Sequence, residues 1–179
     1  MTTAVPPRPP LREAGLVSRT EHARVAVPPG RFWTWFVQTP LEDVLPGGGG
    51  LPTVTGTEAV GGPAWGETGA HQRVFLSDGT SVHEAILNAD PPRRLRYQVW
   101  GFEGAGGRLL HHAQGRFAFA PDEGGTQVAW TYTFAPRRAW QRPVVWAFVR
   151  LRFAAFMRAG LAVMARNAEA AHSGAEPAS

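Results

Sequence analysis

Cysteine is absent from the 179 residues, which excludes a disulfide framework, a thiolate metal site and a thiol nucleophile. That fits a reducing compartment, and a cytoplasmic location is expected. Lysine is absent too: all 18 basic residues are arginine, so no side-chain amine is available for a Schiff base. Charge is sparse, at 18% of residues and a net +4, and it is unevenly placed. Seven arginines between positions 137 and 170 meet only Glu169, while the rest of the chain is faintly acidic. That is not the broad basic face of a nucleic-acid binder, and no nucleic-acid partner is expected. HExxH and facial-triad spacings are missing, so no metal is expected. The glycine runs Gly47–Gly50, Gly61-Gly62 and Gly104–Gly107 lack the context of a phosphate loop. There is no nucleophile elbow for a hydrolase, and no cofactor is implied.

What is present is apolar and aromatic, with 44% hydrophobic residues, seven tryptophans and ten phenylalanines, enough for one well-filled core. Residues 1–17 are proline-rich and read as a flexible tail, 172–179 as a second tail, and 18–171 as a single domain. Alternation over Arg19–Val27 predicts a strand. Pro28 and Pro29 then open a short amphipathic helix carrying Phe32, Trp33, Phe36 and Val37. Strands follow at Thr53–Val60, His71–Ser77, Thr80–Leu87, Arg94–Phe102, Arg108–Pro121 and Thr126–Pro136. Asp78-Gly79 and Asp122–Gly125 mark hairpin turns. From Pro143 to about Ala171 the period becomes helical, with Trp146, Val149, Phe153, Phe156, Met157, Gly160, Val163 and Met164 on one stripe. Arg150, Arg158 and Arg166, turned away from the stripe, would each cost about 2.5–3.5 kcal/mol at a bilayer centre, so this is not a transmembrane helix. A greasy sheet face and a greasy helix stripe must cover each other. The expected class is α+β: a strongly curved antiparallel sheet of six to seven strands gripping a long C-terminal helix, with a short helical insertion after the first strand.

The order of elements and several motifs resemble the START/SRPBCC superfamily, the helix-grip proteins related to the birch-pollen allergen, and within it the polyketide cyclase/dehydrase-like branch. The residues that carry the resemblance are Pro28-Pro29-Gly30-Arg31-Phe32-Trp33, Arg73…Gly79…Glu84, Asp90-Pro91-Pro92-Arg93-Arg94-Leu95-Arg96-Tyr97 and Gly125-Thr126-Gln127-Val128-Ala129-Trp130. The terminal helix completes the set, and together they span about Ser18 to Ala171. The resemblance implies a cavity for an apolar small molecule between sheet and helix, without fixing one chemistry.

Taking Asp78-Gly79 as a two-residue turn sets Arg73 opposite Glu84 and puts His71, Arg73, Phe75, Val82, Glu84 and Ile86 on one face. The resemblance turns that face toward the cavity. A carboxylate beside an arginine in an apolar cup suits a polar ligand group or general-base work, and a structural ion pair is the plain alternative. Spacing from Phe117 and Phe119 turns His111 inward as a proton donor or acceptor, and adjacent His112 outward. Glu84, Arg73 and His111 are therefore the candidate catalytic residues. Phe75, Val82, Tyr97, Val99, Trp130 and Tyr132 are candidate ligand walls on the sheet, with Trp100 beside them. Phe153, Phe156, Met157, Gly160 and Met164 are their counterparts on the helix. Plain core packing is the competing reading for most of them.

The preferred function is a protein that binds a hydrophobic small molecule and, as an enzyme, orients a poly-ketone chain for cyclisation or dehydration. The alternative is a non-catalytic carrier or sensor of lipid, quinone or a similar apolar ligand. Phe148 and Leu151 lie off the main stripe among arginines, which makes the basic terminal helix a candidate contact for an anionic membrane surface or a second copy of the chain.

Overall fold

The structure is a computed structural model and describes residues 5–174; the outermost residues of both expected tails lie outside the described residues. Seven antiparallel strands form one sheet: β1 (Val17–Val25), β2 (Val54–Gly61), β3 (His71–Leu76), β4 (Ser81–Asp90), β5 (Arg94–Trp100), β6 (Leu110–Asp122) and β7 (Gly125–Pro136). Their order across the sheet is β1-β7-β6-β5-β4-β3-β2. Every neighbour beyond the β1–β7 pair is thus a neighbour in sequence, so five hairpin-type connections build the sheet.

Helix α1 (Pro29–Gln38) follows β1, with proline in its first turn, where a missing N–H costs nothing. It ends where Thr39 donates its backbone N–H and its hydroxyl to the Trp35 carbonyl, just before Pro40. The glycine-rich stretch 104–109 forms a short helix, α2 (Gly104–Leu109), between β5 and β6.

The terminal helix is not a uniform rod. A 3₁₀ turn at Ala139–Gln141 leads into α3 (Arg142–Phe148), a π-helical turn covers Val149–Phe153, and α4 (Ala154–Ser173) continues beyond it. Val145, Val149, Phe153, Met157 and Leu161 are all buried and recur every four residues. A straight α-helix turns about 100° per residue, so such a stripe drifts around it, and one widened turn takes up part of the drift. The expected stripe is corrected accordingly: Val145 faces inward and Trp146 faces solvent.

One face of the sheet carries Phe117, Phe119, Val128, Trp130, Tyr132 and Phe134, all buried; Phe117 and Phe119 pack on the aromatic rings of α1, and Trp130, Tyr132 and Phe134 on those of the terminal helix. Gly160 lets α4 come close: a Cβ there would meet Leu45 Cδ2 at 3.0 Å and Trp130 Cζ3 at 3.5 Å. The outer face is polar near β1, where the hydroxyls of Ser18 and Thr133, and of Thr20 and Thr131, pair at 2.9 Å. Farther along, the N-terminal segment lies across that outer face. Trp100 Nε1 donates to the Pro6 carbonyl at 3.0 Å, Gln98 Nε2 to that of Pro9 at 2.8 Å, and Arg12 Nη1 to that of Pro136 at 2.9 Å.

Candidate functional site

Sheet and terminal helix do not fill the space between them. A cavity of about 450 Å³ remains, walled by β3 to β7, by α1, by the segment 41–54, by α2 and by the terminal helix. Its lining is overwhelmingly apolar. The exposed lining residues are Asp78, Glu103, Gly104 and Ala105, so the cavity meets solvent between the β3–β4 turn and the start of α2.

Among the described residues, one carboxyl reaches the interior wall. Glu84 is buried on β4 and accepts a 3.2 Å hydrogen bond from Gln72 Nε2 on β3. Removal from water favours its neutral form, and burial pushes its carboxyl up to about 7. The hydroxyls of Tyr97 and Tyr132 share this end of the cavity. Trp130 Nε1 donates to Tyr97 Oη at 3.0 Å, and the two phenol rings meet edge to face at 6.0 Å. Burial above all raises both tyrosines well above 10.0; the negative charge that Glu84 can carry comes next for Tyr97, and Tyr97 and then Glu84 for Tyr132. A seat for Tyr97 is cut in the neighbouring strand: a Cβ on Gly115 would overlap its ring.

The register of the first hairpin corrects the expected Arg73–Glu84 pair. Arg73 stands opposite His83, and Gln72 opposite Glu84. Leu76 N–H bonds to the Thr80 carbonyl, so the loop holds three residues, Ser77, Asp78 and Gly79, rather than two. Asp78 Oδ1 accepts from the Thr80 N–H at 3.0 Å and from the Thr80 hydroxyl at 2.7 Å, which fixes that loop and lowers the Asp78 pKa. One added residue turns all of β3 over. Val74 and Leu76 therefore line the cavity, while Arg73 and Phe75 face outward. The Arg73 guanidinium stacks over the Phe75 ring at 5.0 Å and bonds to Ser81 Oγ, and neither residue reaches the cavity.

A second correction concerns His111. The β6–β7 ladder shifts between Leu110 and His112, and this bulge gives the inward position to Leu110. His111 is absent from the cavity wall, and its Nδ1 lies 2.9 Å from His112 Nδ1. His112 is fully buried, and its Nε2 has no hydrogen-bond partner among the described residues. Burial, then His111 and Arg12, lower its pKa to about 4. Trp100 also faces outward, stacked with His83, whose Nδ1 lies 3.1 Å from His71 Nε2.

Of the remaining candidates, Val82, Tyr97, Val99, Trp130, Tyr132, Phe153, Phe156 and Met164 line the cavity. Met157 and Gly160 are buried in the helix–sheet contact behind it. Phe148, expected at the surface, lines the cavity because of the widened turn that follows it. Sequence reasoning passes over the walls outside the sheet: Trp35 of α1, Leu45 and Leu51 of the glycine-rich connection, Trp65, and Phe102 and Leu109 around α2. The available signal was apolar residues placed inside loops, which solvent-facing connections have no reason to carry.

A family profile described as polyketide cyclase / dehydrase and lipid transport matches residues 16–169. The chain belongs to this family. Solved structures agree on the fold. Norcoclaurine synthase of Thalictrum flavum, solved with a transition-state analogue, superposes with a TM-score of 0.65 at 14% identity over 88% of this chain and 96% of its own. Ara h 8.0201 gives 0.59 at 16% identity over 87% of this chain and 99% of its own. The di-domain ARO/CYC BexL gives 0.61 at 22% over 90% of this chain and 51% of its own. No curated protein matches the sequence. The family match and the solved structures agree on a helix-grip fold of the START/SRPBCC superfamily. Among the described residues, no three His, Asp or Glu side chains gather as a metal site, and no helix is long and apolar enough to cross a membrane.

Proposed function

We propose that this protein encloses an apolar, carbonyl-bearing small molecule and promotes its intramolecular cyclisation, with Glu84 as the proton-exchanging group. The observation that carries this reading is the lone carboxyl on the interior wall of an otherwise apolar cavity, poised at about 7 beside two buried phenols. A general base or acid works best when its pKa lies near the working pH. In a poly-ketone guest, the Glu84 carboxylate removes a proton from a carbon between two carbonyls. The carbanion forms the new C–C bond at a further, more distant carbonyl carbon of the same chain, whose C=O π bond opens to an alkoxide, and the protonated carboxyl returns its proton to that alkoxide. Tyr97 and Tyr132 donate hydrogen bonds to the guest's oxygens, and the aromatic walls restrict its conformers. In the elimination that follows, the Glu84 carboxylate takes the remaining proton from the carbon it first deprotonated and passes it to the departing hydroxyl, so that a C=C bond forms and water leaves.

Native mass spectrometry of freshly purified protein is expected to show an apolar compound leaving with it. With a synthetic poly-β-ketone as probe, Glu84→Gln is expected to retain binding and to lose cyclisation about 100-fold or more. Equal turnover by wild type and Glu84→Gln would remove Glu84 from the chemistry. Binding without turnover by either protein would leave the carrier function, which uses the same cavity.

A further inference from the structure

The stretch 137–153 holds five arginines and no acidic residue. None of the five forms an ion pair among the described residues. Beside them stand the most exposed large apolar side chains of the fold's body: Leu151 at 77%, Trp140 at 68%, Trp146 at 52% and Val144 at 50%. Positions 140, 144 and 151, with Ala147 between, follow the four- and three-residue steps of one helix face. Trp146 flanks that face, with the Arg150 guanidinium stacked 5.2 Å over its ring. The opposite side of the same turns, Val145 and Phe148, walls the cavity. The patch also adjoins the cavity mouth through α2: Arg137 N–H bonds to the Leu109 carbonyl at 2.9 Å, and Gln141 Nε2 to that of Arg108 at 3.0 Å.

We propose that this face docks on an anionic phospholipid surface. Tryptophan and leucine suit the boundary between headgroups and acyl chains, and the arginines suit the phosphates around them. A second copy is a poor occupant, because a two-fold contact would bring ten arginines together without one carboxylate. The docking surface stands independently of what the cavity holds. Its consequence, a guest exchanged with the bilayer beside the mouth, rests on the guest-binding reading above.

The test is co-sedimentation of the whole protein with phosphatidylcholine vesicles, with and without about one-third phosphatidylserine. Binding is expected only with phosphatidylserine, falling about tenfold or more when salt is raised from about 0.05 to 0.5 M. The double variant Arg142→Glu, Arg150→Glu is expected to lose about tenfold or more in affinity, and Leu151→Ser to weaken binding as well. Both variants should keep the wild-type affinity for an uncharged apolar fluorescent probe, N-phenyl-1-naphthylamine, so that a failed docking surface is distinguished from a failed cavity. No sedimentation at low salt, equal sedimentation with pure phosphatidylcholine, or undiminished binding by the charge-reversal variant overturns the proposal. Capture of an acidic protein in place of vesicles does so too.

Discussion

Replacing Glu84 with glutamine isolates the cost of an ionised carboxylate inside an apolar chamber. In the unfolded chain this group titrates near 4.5; in the fold, burial holds it up at about 7. Below 4.5 the carboxyl is protonated in both states and folding loses nothing. As pH rises from 4.5 to 7 the unfolded chain releases a proton that the native protein keeps, so native stability falls. Above 7 both states are ionised and the loss is constant. At about 1.4 kcal/mol per pH unit, the whole window amounts to about 3 kcal/mol. Glutamine copies the shape of the neutral acid, accepts the same hydrogen bond from Gln72 and does not titrate. Glu84→Gln and wild type should therefore be equally stable near pH 4, and the variant should lead by about 3 kcal/mol at pH 8. Urea unfolding followed by tryptophan fluorescence at several pH values, with unchanged slopes, measures that gap. A gap that stays flat across the range to within about 1 kcal/mol would show that Glu84 is not held neutral, and the proton-exchange role would fall with it.

Other substitutions probe the remaining geometry. Arg73→Ala should leave probe affinity within about twofold of wild type, since Arg73 lies outside the cavity; a larger loss measured by fluorescence titration would contradict the hairpin register. Gly115→Ala should destabilise by about 1–3 kcal/mol in urea unfolding, because the added methyl displaces the Tyr97 ring and with it the bond from Trp130. His112 has a native pKa below the ordinary 6.5, so the stability it confers is present above 6.5 and is lost as pH falls toward 4. His112→Gln should flatten that acid limb of the Tm profile, and an unaltered profile would place the proton elsewhere.

The element order was legible because periodicity survives in a single sequence: Phe117 and Phe119 alternate on β6, and Val128 to Phe134 on β7. Parity was where reading failed, each time through one residue that local pattern does not announce. The third loop residue at Ser77–Gly79 exchanged Arg73 for Gln72 beside Glu84. The β6 bulge exchanged His111 for Leu110, and the π turn exchanged Trp146 for Val145. Glu84 kept its place because β4 carries it on the same side as Val82, on a face that the hairpin error did not alter. The walls supplied by Leu45, Leu51 and Phe102 come from connections with no period, and only tertiary placement identifies them.

The connection through Gly47–Gly50 has a mechanical consequence. Gly48 rests against the backbone of Phe156, and Gly49 sits so near the Arg152 carbonyl, at a φ of 59°, that any Cβ would collide with it. This seam closes one flank of the chamber with main chain laid on main chain. At Gly48 and Gly49 themselves no side chain stands between the two backbones, so at these two positions the sides can separate without a rotamer change. A single methyl at position 49 would be a wedge driven into the seam.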